Sequence, residues 1–147
     1  MIKIIVVGKL KNKELITLIN NYQKMIPRKL DIITIKDEST SDKINIEGNK
    51  ILKQIKADDF VITLEIKGNQ LSSEELATFI NDIEVNKQND IVFVIGGSFG
   101  LDISISQRAN YKLSFSKMTF PHNLMQLILI EQIYRAYMIN SNHPYHK

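Results

Sequence analysis

The chain has 147 residues, 44% hydrophobic and 24% charged, which are the proportions of one ordinary globular domain. Its net charge of +3, from 19 basic and 16 acidic residues, is compatible with an RNA partner without indicating one. The absence of cysteine excludes disulfides, thiolate metal sites and cysteine nucleophiles, and the lack of a membrane-spanning stretch or a signal peptide in the opening MIKIIVVGKL predicts a cytoplasmic protein.

Strands and helices are predicted to alternate along the first part of the chain. Ile2–Val7 is β-branched and almost continuously apolar, which is typical of a strand buried on both faces of a parallel sheet, and Gly8 ends it. Asn12–Ile26 has apolar residues at helical spacing and is followed by Pro27, which stops a helix. Leu30–Ile35 is predicted to form the second strand.

The middle of the chain continues the same pattern. Asp37–Asn49 is polar and is expected to form a surface loop leading into a short helix. Phe60–Ile66 is the third predicted strand, and Lys67–Gln70 is the predicted turn after it. Ser72 followed by Glu75 has the spacing of a capping box, which predicts the start of a helix. That helix is expected to bury its apolar positions, namely Leu76, Phe79, Ile80 and Ile83.

The last third completes an alternating pattern. Ile91–Ile95 has five consecutive apolar residues and is the best candidate for the centre of the sheet. A short helix over Asp102–Arg108, a fifth strand over Tyr111–Phe115 and a final helix from about Pro121 to Asn140 follow. Because strands alternate with helices throughout, the sequence predicts one α/β domain over residues 1–147 with a mostly parallel sheet.

A glycine turn follows the fourth predicted strand. Gly96, Gly97 and Gly100 fall within five residues, so a ligand could approach the main chain closely at the sheet edge where α/β proteins bind ligands. The pattern is neither the dinucleotide fingerprint nor the phosphate loop. A tight turn before a helix capped by Asp102 explains the glycines equally well, so both interpretations stay open.

The segment from Phe115 to His122 is expected at the same edge, since it lies between a strand and a helix. Its hydroxyl and backbone groups are suited to binding a polar small molecule. The commoner alternative is a connecting loop whose apolar residues enter the core.

The final predicted helix has little polar surface. A helix that is apolar on nearly all sides must be covered on all sides. A symmetric dimer would cover it with its twin, and a position in the centre of the core is the alternative. Glu131 and Arg135 are four residues apart, which predicts an ion pair along the helix.

The tail, residues 141–147, contains His143, Tyr145 and His146. Chain ends are commonly frayed, yet these residue types can stack on a base, hold a phosphate and move a proton. A metal site is the weaker functional alternative, because no acidic residue is nearby and the two histidines are three positions apart on a non-helical segment.

Six motifs run in the order VGK, TLEIKG-x-x-LSSEELA, FVIGGSFGL, LSFSKMTFPH, EQIYRAY and NHPYHK. In this order the chain resembles the bacterial large-subunit rRNA pseudouridine N3-methyltransferases of the SPOUT superfamily, over essentially its whole length. The resemblance implies an α/β fold whose deep C-terminal trefoil knot forms the S-adenosylmethionine pocket. It also implies a homodimer, with partner residues completing each site, that methylates N3 of a pseudouridine in large-subunit rRNA on assembled ribosomes.

The resemblance assigns roles to particular positions. The implied cofactor-binding residues are Leu64, Gly97, Phe115, Ser116, Lys117, Met118, Thr119 and Phe120. The implied substrate-binding residues are His122, Arg135 and His143, and the implied catalytic residues are Tyr145 and His146, one of which would accept or relay the imino proton. No metal is implied.

Two departures from the family pattern are visible. The loop Asp37–Asn49 is shorter than in many members, and Gln126 stands where members often have an arginine. Lys117 or Arg135 is therefore expected to supply more of the positive contact near the RNA or the interface. The rival interpretations are a non-catalytic RNA-binding or ribosome-assembly module with the same fold, and a flavodoxin-like nucleotide protein.

Overall fold

The computed structural model describes residues 1–147, and its strands and helices alternate. No helix combines the length and the apolar character that crossing a membrane requires. The elements are β1 (Ile2–Val7), α1 (Lys13–Met25), β2 (Leu30–Ile35), α2 (Ile44–Leu52), β3 (Phe60–Gln70), α3 (Ser73–Asn81), β4 (Ile91–Ile95), α4 (Ile103–Arg108), β5 (Tyr111–Ser114) and α5 (His122–Asn140). A 3-10 turn at Ser41–Lys43 precedes α2, and a π-helical segment at Asp82–Lys87 extends α3.

The five strands form one parallel sheet in the order β2-β1-β4-β3-β5. The predicted central position of Ile91–Ile95 is confirmed, since every residue of β4 is buried. Ile2 in β1 pairs with Leu30 on one side and with Ile91 on the other, which fixes the register of the central strands. The predicted α/β class and parallel sheet are therefore confirmed.

Helices cover both faces of the sheet. Phe93 points into the larger core beneath α1, α3 and α5, whereas its neighbours Val92 and Val94 point into a smaller core that contains Ile51 of α2 and Ile105 of α4. This alternation follows from the two-residue period of a strand, and the absence of a polar face explains why β4 reads as a continuous apolar run.

The final helix α5 lies against α1, α3 and β4. The carboxyl end of α5 is bound to α3 and the π-helical segment that extends it. The Asn140 side chain donates to the Ala77 carbonyl at 3.0 Å, and the Tyr137 hydroxyl donates to Glu84 at 2.6 Å. One face of α5 is therefore core, as the core-helix interpretation predicted. Leu124 remains 40% exposed, so the helix is not covered on every side within one chain.

The predicted turn at Lys67–Gln70 is wrong, because β3 continues to Gln70. Leu113 of β5 pairs with both Leu64 and Asn69, so the intervening residues form a bulge. A Cβ at Gly68 would lie 2.7 Å from the Lys112 carbonyl oxygen, which shows how closely the two backbones approach. Gly68, which the sequence places in a turn, is therefore the point where β3 and β5 come into close contact.

The polar segment Asp37–Asn49 is less of a loop than predicted, because α2 already begins at Ile44. Glu47, only 2% exposed, accepts a hydrogen bond of 2.6 Å from the Glu38 backbone N–H. This buried carboxylate ties the segment to the fold. The last predicted strand also ends one residue early, at Ser114.

The predicted capping box at the start of α3 is confirmed. The Ser72 hydroxyl accepts from the Glu75 N–H at 3.0 Å, and the Glu75 carboxylate accepts from the Ser72 N–H at 3.0 Å. Ser72→Ala is expected to lower the free energy of unfolding by about 1 kcal/mol, since one N–H of the first helical turn loses its acceptor. Urea denaturation measures the loss, and Ser39→Ala, at an exposed bend, is the matched control.

Candidate cofactor and substrate site

A cavity of about 460 Å³ lies at the bulge of β3 and the carboxyl ends of β4 and β5. This volume is within the range of small-molecule sites, and the position is the edge where parallel α/β sheets bind ligands. The walls are residues 64–67, 95–98, 100–101, 113–116 and 118–120, closed by His122 and Met125. Three segments that are separate in the sequence therefore meet around one space.

The glycine turn forms one wall and is required by packing. A Cβ at Gly96 would lie 2.7 Å from the Gly100 carbonyl oxygen, and a Cβ at Gly97 would lie 2.9 Å from Val7 Cγ1. Gly100 adopts a φ of +76°, which favours glycine, and its N–H donates to the Gly97 carbonyl at 3.0 Å. The tight-turn interpretation is confirmed, as is the predicted cap at Asp102, and the same turn still faces the cavity.

The segment after β5 forms the opposite wall. The Ser114 hydroxyl donates to the Ser116 carbonyl, and the Ser116 hydroxyl accepts from the Met118 N–H, both at 3.0 Å. These local bonds curve the loop around the cavity. Of the eight predicted cofactor-binding residues, seven line the cavity, whereas Lys117 is exposed outside it.

Glu65 also lines the cavity, and sequence analysis missed it. It is the only acidic residue in the walls, where Lys67 and His122 are the basic ones. Its carboxylate accepts hydrogen bonds from the hydroxyls of Thr63 at 2.6 Å and Ser106 at 2.8 Å. The two hydrogen bonds fix the orientation of the carboxylate, and its negative charge suits a cationic ligand. Its position beside Leu64 in the TLEI motif was the available signal.

His122 is the only histidine at the cavity. It is the first residue of α5, and its Nε2 lies 3.5 Å from where a Cβ of Gly8 would be. A Cβ there would only touch the imidazole at ordinary van der Waals distance, so it is the φ of +97° that favours glycine at position 8, directly after β1. His122 is thus placed beside the predicted cofactor-binding residues.

Arg135 organises a second cluster, on the middle of α5. Its Nε and Nη2 donate to Glu131 Oε1 at 3.0 and 2.7 Å, which confirms the predicted pair along the helix. Its guanidinium lies 4.8 Å above the ring of Tyr145, and its Nη1 is 3.0 Å from His146 Nδ1. The hydrogen bond to Glu131 raises the pKa of Arg135 above its ordinary value.

The tail folds back onto this cluster. The Tyr145 hydroxyl donates to Glu131 at 3.0 Å and lies 3.3 Å from the hydroxyl of Tyr22, and its ring packs edge-on against Tyr134 at 4.8 Å. Burial, together with these bonds, raises the pKa of Tyr145. The frayed-end interpretation is therefore wrong for residues 143–146.

The other two tail histidines have different surroundings. His143 is exposed, and its Nδ1 accepts from the Tyr145 N–H at 3.1 Å, which helps to reverse the chain after Asn142, whose φ is +57°. His146 contacts Arg135 through Nδ1 and Glu74 of α3 through Nε2, the latter at 2.7 Å. Glu74, too, was missed by sequence analysis.

The two clusters are far apart within one chain. Arg135 lies thirteen positions after His122 in the same helix, which at about 1.5 Å per residue separates them by about 20 Å along the axis. The structure therefore brings His122 to the cofactor side. It does not bring Arg135, His143, Tyr145 and His146 to that side within one chain.

Gln126, the departure from the family pattern, is only 7% exposed.

The fold belongs to a known class. A solved structure described as a probable methylase family protein from Haemophilus influenzae matches 99% of this chain and 70% of its own length, with a TM-score of 0.59 at 14% identity. At that identity the match shows that the two proteins share an α/β fold.

Sequence relatives narrow the class to a family. The family model described as "Predicted SPOUT methyltransferase" matches residues 1–146. Proteins named ribosomal RNA large subunit methyltransferase H from Clostridium novyi and Bifidobacterium adolescentis are each 50% identical, over 99% of this chain and 99% of their own length. The chain therefore belongs to the SPOUT methyltransferase family, as its motifs predicted, and the flavodoxin-like interpretation is wrong.

Proposed function

We propose that this protein uses S-adenosylmethionine to methylate N3 of a pseudouridine in large-subunit rRNA on assembled ribosomes in the cytoplasm. The observation that carries the proposal is the full-length similarity to proteins named for large-subunit rRNA methylation. The motifs EQIYRAY and NHPYHK, which are specific to the family that the chain resembles, support N3 of a pseudouridine as the methylated atom.

The cavity fits the proposed cofactor. Backbone at Gly97 can approach it closely, Leu64 and Phe120 supply apolar surface, and Glu65 supplies the negative charge that a sulfonium and an ammonium group need. When bound, S-adenosylmethionine supplies a methyl group already activated by the positive sulfur. The chain's own task is then to orient the donor, exclude water and remove a proton from the acceptor.

The acceptor side is assigned to the tail. N3 of a pseudouridine carries an imino proton that must leave, and Tyr145 or His146 is proposed to accept or relay it. Arg135 is proposed to hold a phosphate or a base carbonyl, because a guanidinium donates in a planar fork. His122 and His143 are proposed as further substrate contacts.

A homodimer with a C-terminal trefoil knot completes the proposal. No residue of the tail cluster lines the cavity of its own chain, and Arg135 is about 15 Å along α5 from Met125 in the cavity wall, so the two halves do not meet within one chain. A second copy related by a two-fold axis would place the tail of one chain at the cavity of the other. The exposed apolar Leu124 on α5 supports a covered surface there.

Two measurements test the proposed function together. Calorimetric titration is expected to show binding of S-adenosylmethionine and no binding of flavin. Mass spectrometry of rRNA from cells lacking the protein is expected to show loss of N3-methylpseudouridine, restored by the wild-type chain. Donor binding without any change in rRNA modification would instead favour a binding module that has kept the fold and lost the chemistry.

A further inference from the structure

The hydrogen bonds of His146 select one tautomer. A guanidinium can only donate, so Arg135 Nη1, at 3.0 Å, requires Nδ1 of the imidazole to accept. The ring proton is then on Nε2, and it points at Glu74 Oε1, 2.7 Å away. A neutral imidazole satisfies both neighbours at once, since one is a pure donor and the other, as a carboxylate, a pure acceptor.

Within this arrangement His146 has no free lone pair. Nδ1, the only nitrogen that could take a proton, faces Arg135. Glu131 holds the guanidinium through Nε and Nη2, whereas Nη1 is the nitrogen that contacts His146. A phosphate or carbonyl oxygen of an RNA could therefore compete for Nη1 without breaking the pair with Glu131.

We propose that Glu74 is a positioning residue for methyl transfer, which holds His146 in the tautomer whose Nδ1 accepts the imino proton once RNA engages Arg135. The inference rests on the proposed function and adds to it a residue of α3 and an order of events. Glu74 does not touch the substrate. It acts through the imidazole, as an orienting carboxylate does for a general base.

The proton and the methyl group balance in this step. The bond between the methyl carbon and the positive sulfur breaks, and a bond from that carbon to N3 forms. The N3 proton moves to Nδ1 of His146, so the donor loses its positive charge and the imidazole gains one. The new imidazolium keeps its Nε2–H on Glu74, whose negative charge stabilises it.

The charged and titratable groups around the ring make Glu74 the stabilising partner. Arg135 and Glu131 come from α5, Glu74 from α3, Tyr22 from α1 and Tyr145 from the tail. Arg135 repels an imidazolium, and Glu131 is already engaged by Arg135 and by Tyr145. The hydrogen bond from His146 lowers the pKa of the Glu74 carboxyl, which keeps it anionic.

Glu74→Gln tests the inference with a closely matched control. Glu74 is the second residue of α3, and Glu14 is the exposed second residue of α1, so Glu14→Gln removes the same charge from the same helical position without touching the tail. For Glu74→Gln, kcat on ribosomes lacking the modification is expected to fall about tenfold to a hundredfold. The affinity for S-adenosylmethionine and all parameters of Glu14→Gln should stay at wild-type values.

The pH profile separates positioning from mere support of the fold. Without its anionic partner the imidazolium is less stable, so the acidic limb of kcat should move to lower pH in Glu74→Gln. A fall in kcat with an unmoved limb would overturn the proposal, because it would indicate a purely structural role. Wild-type kcat with a wild-type profile would overturn it as well.

The tautomer can be measured without any RNA. In the free full-length protein, ¹⁵N chemical shifts of the His146 imidazole are expected to report a proton on Nε2, and Glu74→Gln should weaken that preference. A wild-type spectrum with the proton on Nδ1 would overturn the positioning role even if methylation is robust. Absence of methylation by the wild-type chain, with the expected tautomer present, would instead count against the proposed function.

Discussion

A chain carrying Tyr145→Phe and His146→Ala is expected to lose methylation about a thousandfold while binding S-adenosylmethionine with unchanged affinity. The loss follows because both groups proposed to move the imino proton are gone. Donor binding survives because no residue of the tail lines the cavity of its own chain. Phenylalanine keeps the ring against Tyr134 and beneath Arg135, so the tail is expected to stay docked.

Methyl transfer from a labelled donor to ribosomes lacking the modification measures the first effect, and calorimetry measures the second. Lys147→Ala changes an exposed residue of the same tail and is the control. Turnover of the double variant near the wild-type rate would remove the tail from the mechanism. Loss of donor binding together with turnover would show that the tail supports the cavity of its own chain.

Gly97→Ala is expected to weaken S-adenosylmethionine binding by at least tenfold, the equivalent of about 1.4 kcal/mol. Its Cβ would lie 2.9 Å from Cγ1 of Val7, a stiff side chain that is fully buried in β1. The turn must therefore move, and the cavity wall moves with it. Overpacking of this kind is also expected to cost about 1–3 kcal/mol of the free energy of unfolding.

A double-variant cycle shows whether the predicted contact is the cause. Val7→Ala alone removes core surface and lowers stability, but together with Gly97→Ala it makes room for the added methyl. The two changes are expected to couple favourably by about 0.5–3 kcal/mol, in unfolding by urea and in donor binding by calorimetry. Strictly additive effects would mean that Gly97→Ala acts by some route other than Val7.

Mixing the Gly97→Ala variant with the Tyr145→Phe, His146→Ala variant tests whether each site combines the cavity of one chain with the tail of another. A chain with Gly97→Ala keeps its tail, and a chain with Tyr145→Phe and His146→Ala keeps its cavity. In a mixed dimer one of the two sites would be intact, so random exchange should restore about a quarter of the wild-type activity. Each variant alone provides the baseline, and a mixture no more active than that baseline would contradict sites shared between copies.

Local sequence patterns were sufficient for most of the fold. Ile91–Ile95 could be placed at the sheet centre because only a strand covered on both faces is apolar at every position. Ser72 and Asp102 could be identified as caps because a cap acts on residues two or three positions away. The bulge in β3 could not be predicted, since it depends on Gly68 meeting the backbone of Lys112.

The candidate site, like the fold, was predictable in part. Its cofactor side was predicted through a family resemblance, and seven of its eight residues line the cavity. Glu65 and Glu74 were missed because each is distinguished by a partner that is distant in the sequence. Ser106 is 41 residues from Glu65, and His146 is 72 residues from Glu74. The TLEI motif draws attention to Glu65 through its neighbour Leu64, but no motif reveals contacts of that range.

The length of α5 is itself constrained by this arrangement. The helix begins at His122, in the cavity wall, and carries Arg135 and the docked tail towards its other end. One inserted or deleted residue would turn everything beyond it by about 100° and shift it by about 1.5 Å. A change in the number of core residues between the two ends would therefore misalign the groups that bind the methyl donor and the methyl acceptor, although those core residues contact neither.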